Sequence, residues 1–229
     1  MRRLIPNLIT LCNLTCGVVS IWYAQQGALT YASIAILAGI FFDFFDGMAA
    51  RLLNVASPLG KELDSLADVV TSGVAPAFLL FSILQSVSDN TLLPFVAFLI
   101  PAFSAYRLAK FNLDERQHTS FLGLPTPANA IIWVGIALIY DLTPTTTWLF
   151  SAHGAYLIAA VSILTDILLV SELPLFSLKV NFRDLSWHSN NIRYIFLIGC
   201  ALLIVTLRYY SIPLIILWYL LLSMIYRES

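Results

Sequence analysis

The sequence predicts an all-α integral membrane protein, a polytopic bundle of about eight transmembrane helices forming a single domain over residues 1–229. Three observations predict it. Hydrophobic residues make up 59% of the chain and charged residues 11%, and the mean hydropathy is +0.86. Soluble domains carry about 25% charged residues, roughly twice this share. Third, apolar runs recur from end to end, each near the roughly 20 residues that a spanning helix needs.

The runs fall at 8–26, 29–50, 60–84, 91–111, 125–141, 147–170, 193–208 and 212–226. The first follows Arg2-Arg3 but is not expected to be a cleavable signal: it is long, contains Asn7, Asn13 and Gln25, and lacks a clear small-residue cleavage site. The second carries Asp43 and Asp46 near its end. Ser57-Pro58, an N-cap residue with proline at the first helical position, starts the third. Arg107 and Lys110 close the fourth, Leu124-Pro125-Thr126-Pro127 opens the fifth, and the sixth holds Asp166, read as interhelical polar packing beside Ser162 and Thr165. Arg208 separates the last two.

Eight spans put Arg2, Arg3, Arg51, Lys61, Arg107, Lys110, Arg116, Lys179, Arg183, Arg193 and Arg227 on one side and Arg208 alone on the other. Cytoplasmic loops accumulate Lys and Arg, so both termini and the Asp-rich loop are expected in the cytoplasm. The connections Gln25 to Gly27, Ser86 to Thr91 and Asp141 to Thr146 contain neither residue. The expected location is a bacterial inner membrane, which follows only from the type of protein. A net charge of −1 gives no basic surplus for nucleic acid. Cys12, Cys16 and Cys200 lie in apolar runs without metal-type spacing, and His118, His153 and His188 share no spacing. The Trp residues read as interfacial anchors or lipid-facing bulk.

Residues 43–68 break the apolar pattern. Four carboxylates, Asp43, Asp46, Asp64 and Asp68, stand inside membrane sequence, where ionised acids are costly without a strong counter-charge. Divalent cations supply it, because hard cations take oxygen ligands and magnesium commonly sits between carboxylates and a substrate phosphate. At 3.6 residues per turn Asp43, Asp46, Gly47 and Ala50 share an arc of roughly 100°, and Gly60, Asp64 and Asp68 line one stripe of the next helix. The two faces converge across a hairpin with small residues making room for a polar ligand. Such a site suits two cations clamping a pyrophosphate, with Arg51 as a forked donor to phosphate or base. Asp68, furthest along the second helix, is the choice for general base. Arg51 and Lys61 are too few to neutralise four acids as salt bridges; an ion pathway is the harder alternative to exclude.

The fixed positions Asp43, Asp46, Gly47, Ala50, Arg51, Gly60, Asp64 and Asp68 match D-x2-D-G-x2-A-R-x8-G-x3-D-x3-D, and the chain thereby resembles the CDP-alcohol phosphatidyltransferase superfamily. The resemblance implies a CDP-alcohol phosphotransferase-like bundle, a CDP-linked lipid or alcohol donor, two Mg2+ or Mn2+ ions held by the four Asp residues, Asp68 as proton acceptor, and a homodimer. It also implies that Gly47, Ala50, Arg51 and Gly60 line the nucleotide and phosphate pocket, with Ser57 a further contact. Asn7, Thr10 and Asn13 share one face of the first helix and serve either nucleotide contact or interhelical hydrogen bonding.

Three stretches narrow the resemblance to the bacterial and archaeal phosphatidylserine synthases: Ile5 to Gly17, Gly60 to Val70 with Gly73 to Pro76, and Arg107 to Asn112 followed by Phe121 to Pro127. This implies CDP-diacylglycerol and L-serine as substrates among membrane lipids. A zwitterionic acceptor needs a cation for its carboxylate, which Arg107 and Lys110 offer, with Asn112 and Thr126 as neutral partners; interfacial anchoring accounts for the two cations equally well. The rivals are the same chemistry with glycerol 3-phosphate or an inositol phosphate, which call for more basic residues, and a divalent-cation transporter.

Overall fold

The computed structural model describes residues 4–113, 121–143, 148–176 and 187–225. Arg2, Arg3, Arg116, His118, Lys179, Arg183 and Arg227 lie outside the described residues. The first helix, α1 (Leu4–Gln25), turns at Gly27, whose φ of +73° suits glycine, into α2 (Leu29–Leu52). Buried α1 residues Pro6, Thr10, Asn13, Gly17, Ser20 and Ala24 recur at alternating spacings of four and three, the seam of an antiparallel helix pair. Their small size lets α2 approach closely, and the Ser20 hydroxyl donates to the Ala32 carbonyl at 2.8 Å.

The third helix, α3 (Pro58–Asp68), passes through a π-helical turn at Val69–Val74 into α4 (Ala75–Val87), so that Pro58–Val87 is one continuous helical stretch. A 3-10 turn at Leu93–Phe98 leads into α5 (Leu99–Leu113). Then follow β1 (Phe121–Leu122), α6 (Thr126–Leu142), α7 (Ala152–Val170), β2 (Pro174–Leu175), α8 (Trp187–Leu207) and α9 (Ser211–Ile225). The strands pair antiparallel, Phe121 with Leu175, and tie the start of α6 to the end of α7.

The bundle is built around α6. Its Ala130 and Val134 pack with α1, α2 and α4, its Trp133 with α4 and α7, and its Ile132 with α9 and β2. Leu8, Leu11, Phe41, Phe44, Leu197, Ile198 and Val205 are exposed on the outside, as expected of a surface solvated by lipid.

Among the described residues six helical stretches are long and apolar enough to cross a membrane, against the eight expected. Two places account for the difference. The helix α6 has only 17 residues, and Asn190–Ile225 is a single apolar run of 36. Within that run Arg208 has a φ of +49° in a 3-10 turn, and α8 and α9 pack against each other.

Candidate active site

The site is a helix hairpin whose turn is specified at both ends. Beyond Leu52 the chain leaves α2 through Asn54, whose φ of +50° is the left-handed conformation that Asn tolerates best after Gly. The Asn54 amide donates to the Arg51 carbonyl and the Val55 amide to that of Ala50, together a Schellman closure of α2. Ser57 then caps α3, its hydroxyl accepting from the Gly60 amide at 3.1 Å, with Pro58 in the first turn.

This hairpin brings the acids together. Asp43, Asp46 and Asp64 each offer one carboxylate oxygen, and these oxygens lie within 4.8 Å of one another. Asp68 follows one turn after Asp64, close enough to Asp43 and Asp64 for the charges to interact. Asp46 and Asp68 are buried, and Asp46 Oδ2 has no hydrogen-bond partner among the described residues. The two basic groups of the hairpin itself are turned elsewhere. Arg51 Nε donates to the Gly47 carbonyl at 3.0 Å and Lys61 Nζ to the Asn112 carbonyl at 3.0 Å, so neither neutralises the acids. Three carboxylate oxygens around a hard cation at about 2.1 Å lie within about 4.2 Å of each other, so small side-chain shifts close this set around one. The donor set fits a divalent metal.

Beside the acids opens a cavity of about 260 Å³. Asn7, Thr10, Gly47, Ala50, Arg51, Ser57 and Gly60 all line it, together with Asp46, Lys61 and Asp64. Gly60 keeps its floor low, because a Cβ there would stand 3.2 Å from Ser57 Oγ and 3.4 Å from Asn7 Oδ1. At Gly47 a Cβ would meet only the tip of Arg51, at 3.9 Å, so this residue leaves open space.

The four residues considered for the acceptor fall into three environments. Arg107 is buried, donates from Nη1 to Thr126 Oγ1 at 3.2 Å, stacks over Phe111 with 5.9 Å to the ring centroid, and faces the charge of Asp68. Its Nε has no partner among the described residues. Asn112 is a clamp between helices: its Nδ2 donates to Ser65 Oγ at 2.9 Å and its carbonyl accepts from Lys61. Lys110 stands at the surface in an ion pair with Glu172 at 3.1 Å. Asp166 is buried in α7 with neither oxygen partnered among the described residues. One residue gains a sharper place than spacing gave it: Asn13, fully buried, donates to Asp68.

Known proteins are similar to this chain in sequence. A profile of the CDP-alcohol phosphatidyltransferase family matches residues 3–170. A CDP-diacylglycerol--serine O-phosphatidyltransferase of Bacillus subtilis is 38% identical over 141 residues, covering 60% of this chain and 77% of the relative. One of Methanocaldococcus jannaschii is 30% identical over 217 residues, covering 93% and 90%. An archaetidylserine synthase of Methanothermobacter thermautotrophicus is 33% identical over 162 residues, covering 70% and 66%. With its motif residues gathered on one hairpin and a match across most of its length, this chain belongs to the CDP-alcohol phosphatidyltransferase family.

Proposed function

We propose that the protein transfers the phosphatidyl group of CDP-diacylglycerol to L-serine, forming phosphatidylserine and CMP. The observation that carries the reaction class is the convergence of Asp43, Asp46 and Asp64 beside a cavity lined by Asn7, Thr10, Arg51 and Ser57, with Asp68 one helical turn beyond Asp64. The serine acceptor is supported by relatives that bear serine-transferase names and by Arg107, a buried cation facing Asp68.

Asp43, Asp46, Asp64 and Asp68 would hold two Mg2+ or Mn2+ ions, which supply charge neutralisation at the pyrophosphate and its leaving group. Asn7, Thr10, Arg51, Ser57 and the small surfaces of Gly47, Ala50 and Gly60 receive the cytidine and phosphates. Arg107, held by Thr126, takes the serine carboxylate, while Lys110 stays in its surface ion pair with Glu172 and Asn112 keeps α5 against α3. Asp68 accepts the proton of the serine hydroxyl as its oxygen bonds to the lipid-bearing phosphorus. The bond from that phosphorus to the bridging oxygen breaks, and CMP leaves with the electron pair. The acyl chains remain in the bilayer throughout. We place the site and both termini on the cytoplasmic side, the Lys- and Arg-rich side, and count eight spans, with α6 crossing as a short central helix and α8 and α9 as two.

Purified protein given CDP-diacylglycerol and Mg2+ or Mn2+, with labelled serine, glycerol 3-phosphate or inositol phosphate in parallel, tests the acceptor. Labelled phosphatidylserine is expected. Label entering lipid from either of the other alcohols and not from serine overturns the serine assignment while leaving the reaction class intact.

A further inference from the structure

Asn13 lies 55 positions before Asp68 in sequence, yet its Nδ2 donates to Asp68 Oδ1 at 3.3 Å. The opposite amide orientation would set an oxygen against the carboxylate, so donation is the assignment that chemistry favours. Asn13 is held in turn. Its backbone carbonyl accepts from Thr71 Oγ1 at 2.9 Å, and Thr71 belongs to the π-helical turn that begins immediately after Asp68. Turns of this kind shift the register of a helix locally and concentrate at functional sites.

There is no slack around this contact. A Cβ on Gly17 would stand 2.6 Å from Thr71 Oγ1 and 2.8 Å from its Cα; one on Gly39 would collide with Thr71 Cγ2 and stand 3.0 Å from Asn13 Oδ1. Thr71 therefore fills space that α1 and α2 vacate by carrying glycine. The two helices and the π turn meet at zero clearance, and Asn13 projects from that junction to Asp68. A buried Asp carboxylate without such a partner has more than one rotamer open to it.

We propose that Asn13 is a positioning residue for phosphatidyl transfer: it fixes the orientation of the Asp68 carboxylate, and Thr71, seated between Gly17 and Gly39, fixes Asn13. This rests on the reading of Asp68 as the proton acceptor. A misplacement of about 1 Å at a reacting group costs about 100-fold in rate, which sets the scale of the effect.

Steady-state kinetics with CDP-diacylglycerol, serine and Mg2+ test it in Asn13→Ala, Thr71→Val and Thr71→Ser. Asn13→Ala is expected to lower kcat by about 10- to 100-fold with both KM values within about threefold of the parent. Thr71→Val, which keeps the shape and removes the hydroxyl, is expected to lower kcat in the same manner, and Thr71→Ser to recover most of that loss. A kcat within about twofold of the parent in Asn13→Ala, or a raised KM at unchanged kcat, overturns the proposal. So does Thr71→Ser as defective as Thr71→Val, and this pair decides the matter if Asn13→Ala does not fold. The parent protein separates the two claims: absence of CMP release there defeats the functional reading, whereas an active parent with unaffected variants defeats only the role of Asn13.

Discussion

Arg107 and Lys110 show how far apart two residues of one type can stand in function when three positions separate them. Both sit at the same end of α5, rotated by about 60° on a helix. Arg107 faces inward under Thr126, whereas Lys110 faces Glu172 at the surface. A hydrogen bond to a charged group is worth about 1.5–3 kcal/mol, so Arg107→Ala should raise the KM for serine about 10- to 100-fold and leave the KM for CDP-diacylglycerol nearly unchanged. Lys110→Ala should have a much smaller effect, since exposed ion pairs contribute about 0–1 kcal/mol. Equal effects in initial-rate measurements would contradict the division. The sequence made the four Asp residues legible because ionised groups in apolar sequence need a reason. It did not separate Arg107 from Lys110, because burial of one and exposure of the other depend on where α6 and β2 come to rest. Asn13 was legible as polar and inward-facing on α1, but its partner is set by packing across 55 residues.

At the scale of elements, the hairpin depends on its turn more than on the propensity of either helix. Ser57-Pro58 announced the start of α3 in sequence, and the structure shows the capping hydrogen bond. The close of α2 was less legible, because Asn at a left-handed position is recognisable only when the end of the helix is already known. Ser57→Ala should destabilise the protein by about 1 kcal/mol through loss of the cap. Asn54→Gly should be tolerated, whereas Asn54→Val, with a branched side chain at φ +50°, should be destabilised by about 1–2 kcal/mol. Thermal unfolding in detergent orders these variants; Asn54→Val as stable as Asn54→Gly would refute the Schellman assignment. The π turn at Val69–Val74 had no sequence signature. It carries Thr71 close against Gly17 and Gly39, a tertiary contact that local spacing does not encode.

For the whole molecule, hydropathy conveyed the class and the approximate path of the chain, since lipid solvates an apolar exterior wherever helices emerge. It did not convey that α6 is the buried centre, because lipid-facing and protein-facing apolar residues are chemically alike. Orientation has a direct check. Single cysteines in a cysteine-free background at Leu113 and at Ser88 should react with an impermeant reagent from opposite sides of sealed vesicles, Leu113 from the cytoplasmic side. Labelling of both from one side would refute the proposed placement. Phosphatidyl transfer by the acidic hairpin is distinguishable from an ion pathway. The most direct test is the stoichiometry of CMP and phosphatidylserine formed by the protein in liposomes containing CDP-diacylglycerol, with serine and Mg2+, for the parent and for Asp68→Asn. One CMP per phosphatidylserine is expected in the parent, abolished by chelation of the metal and restored by its return, with no turnover but retained donor binding in Asp68→Asn. Metal flux without CMP release, or undiminished turnover in Asp68→Asn, would contradict it.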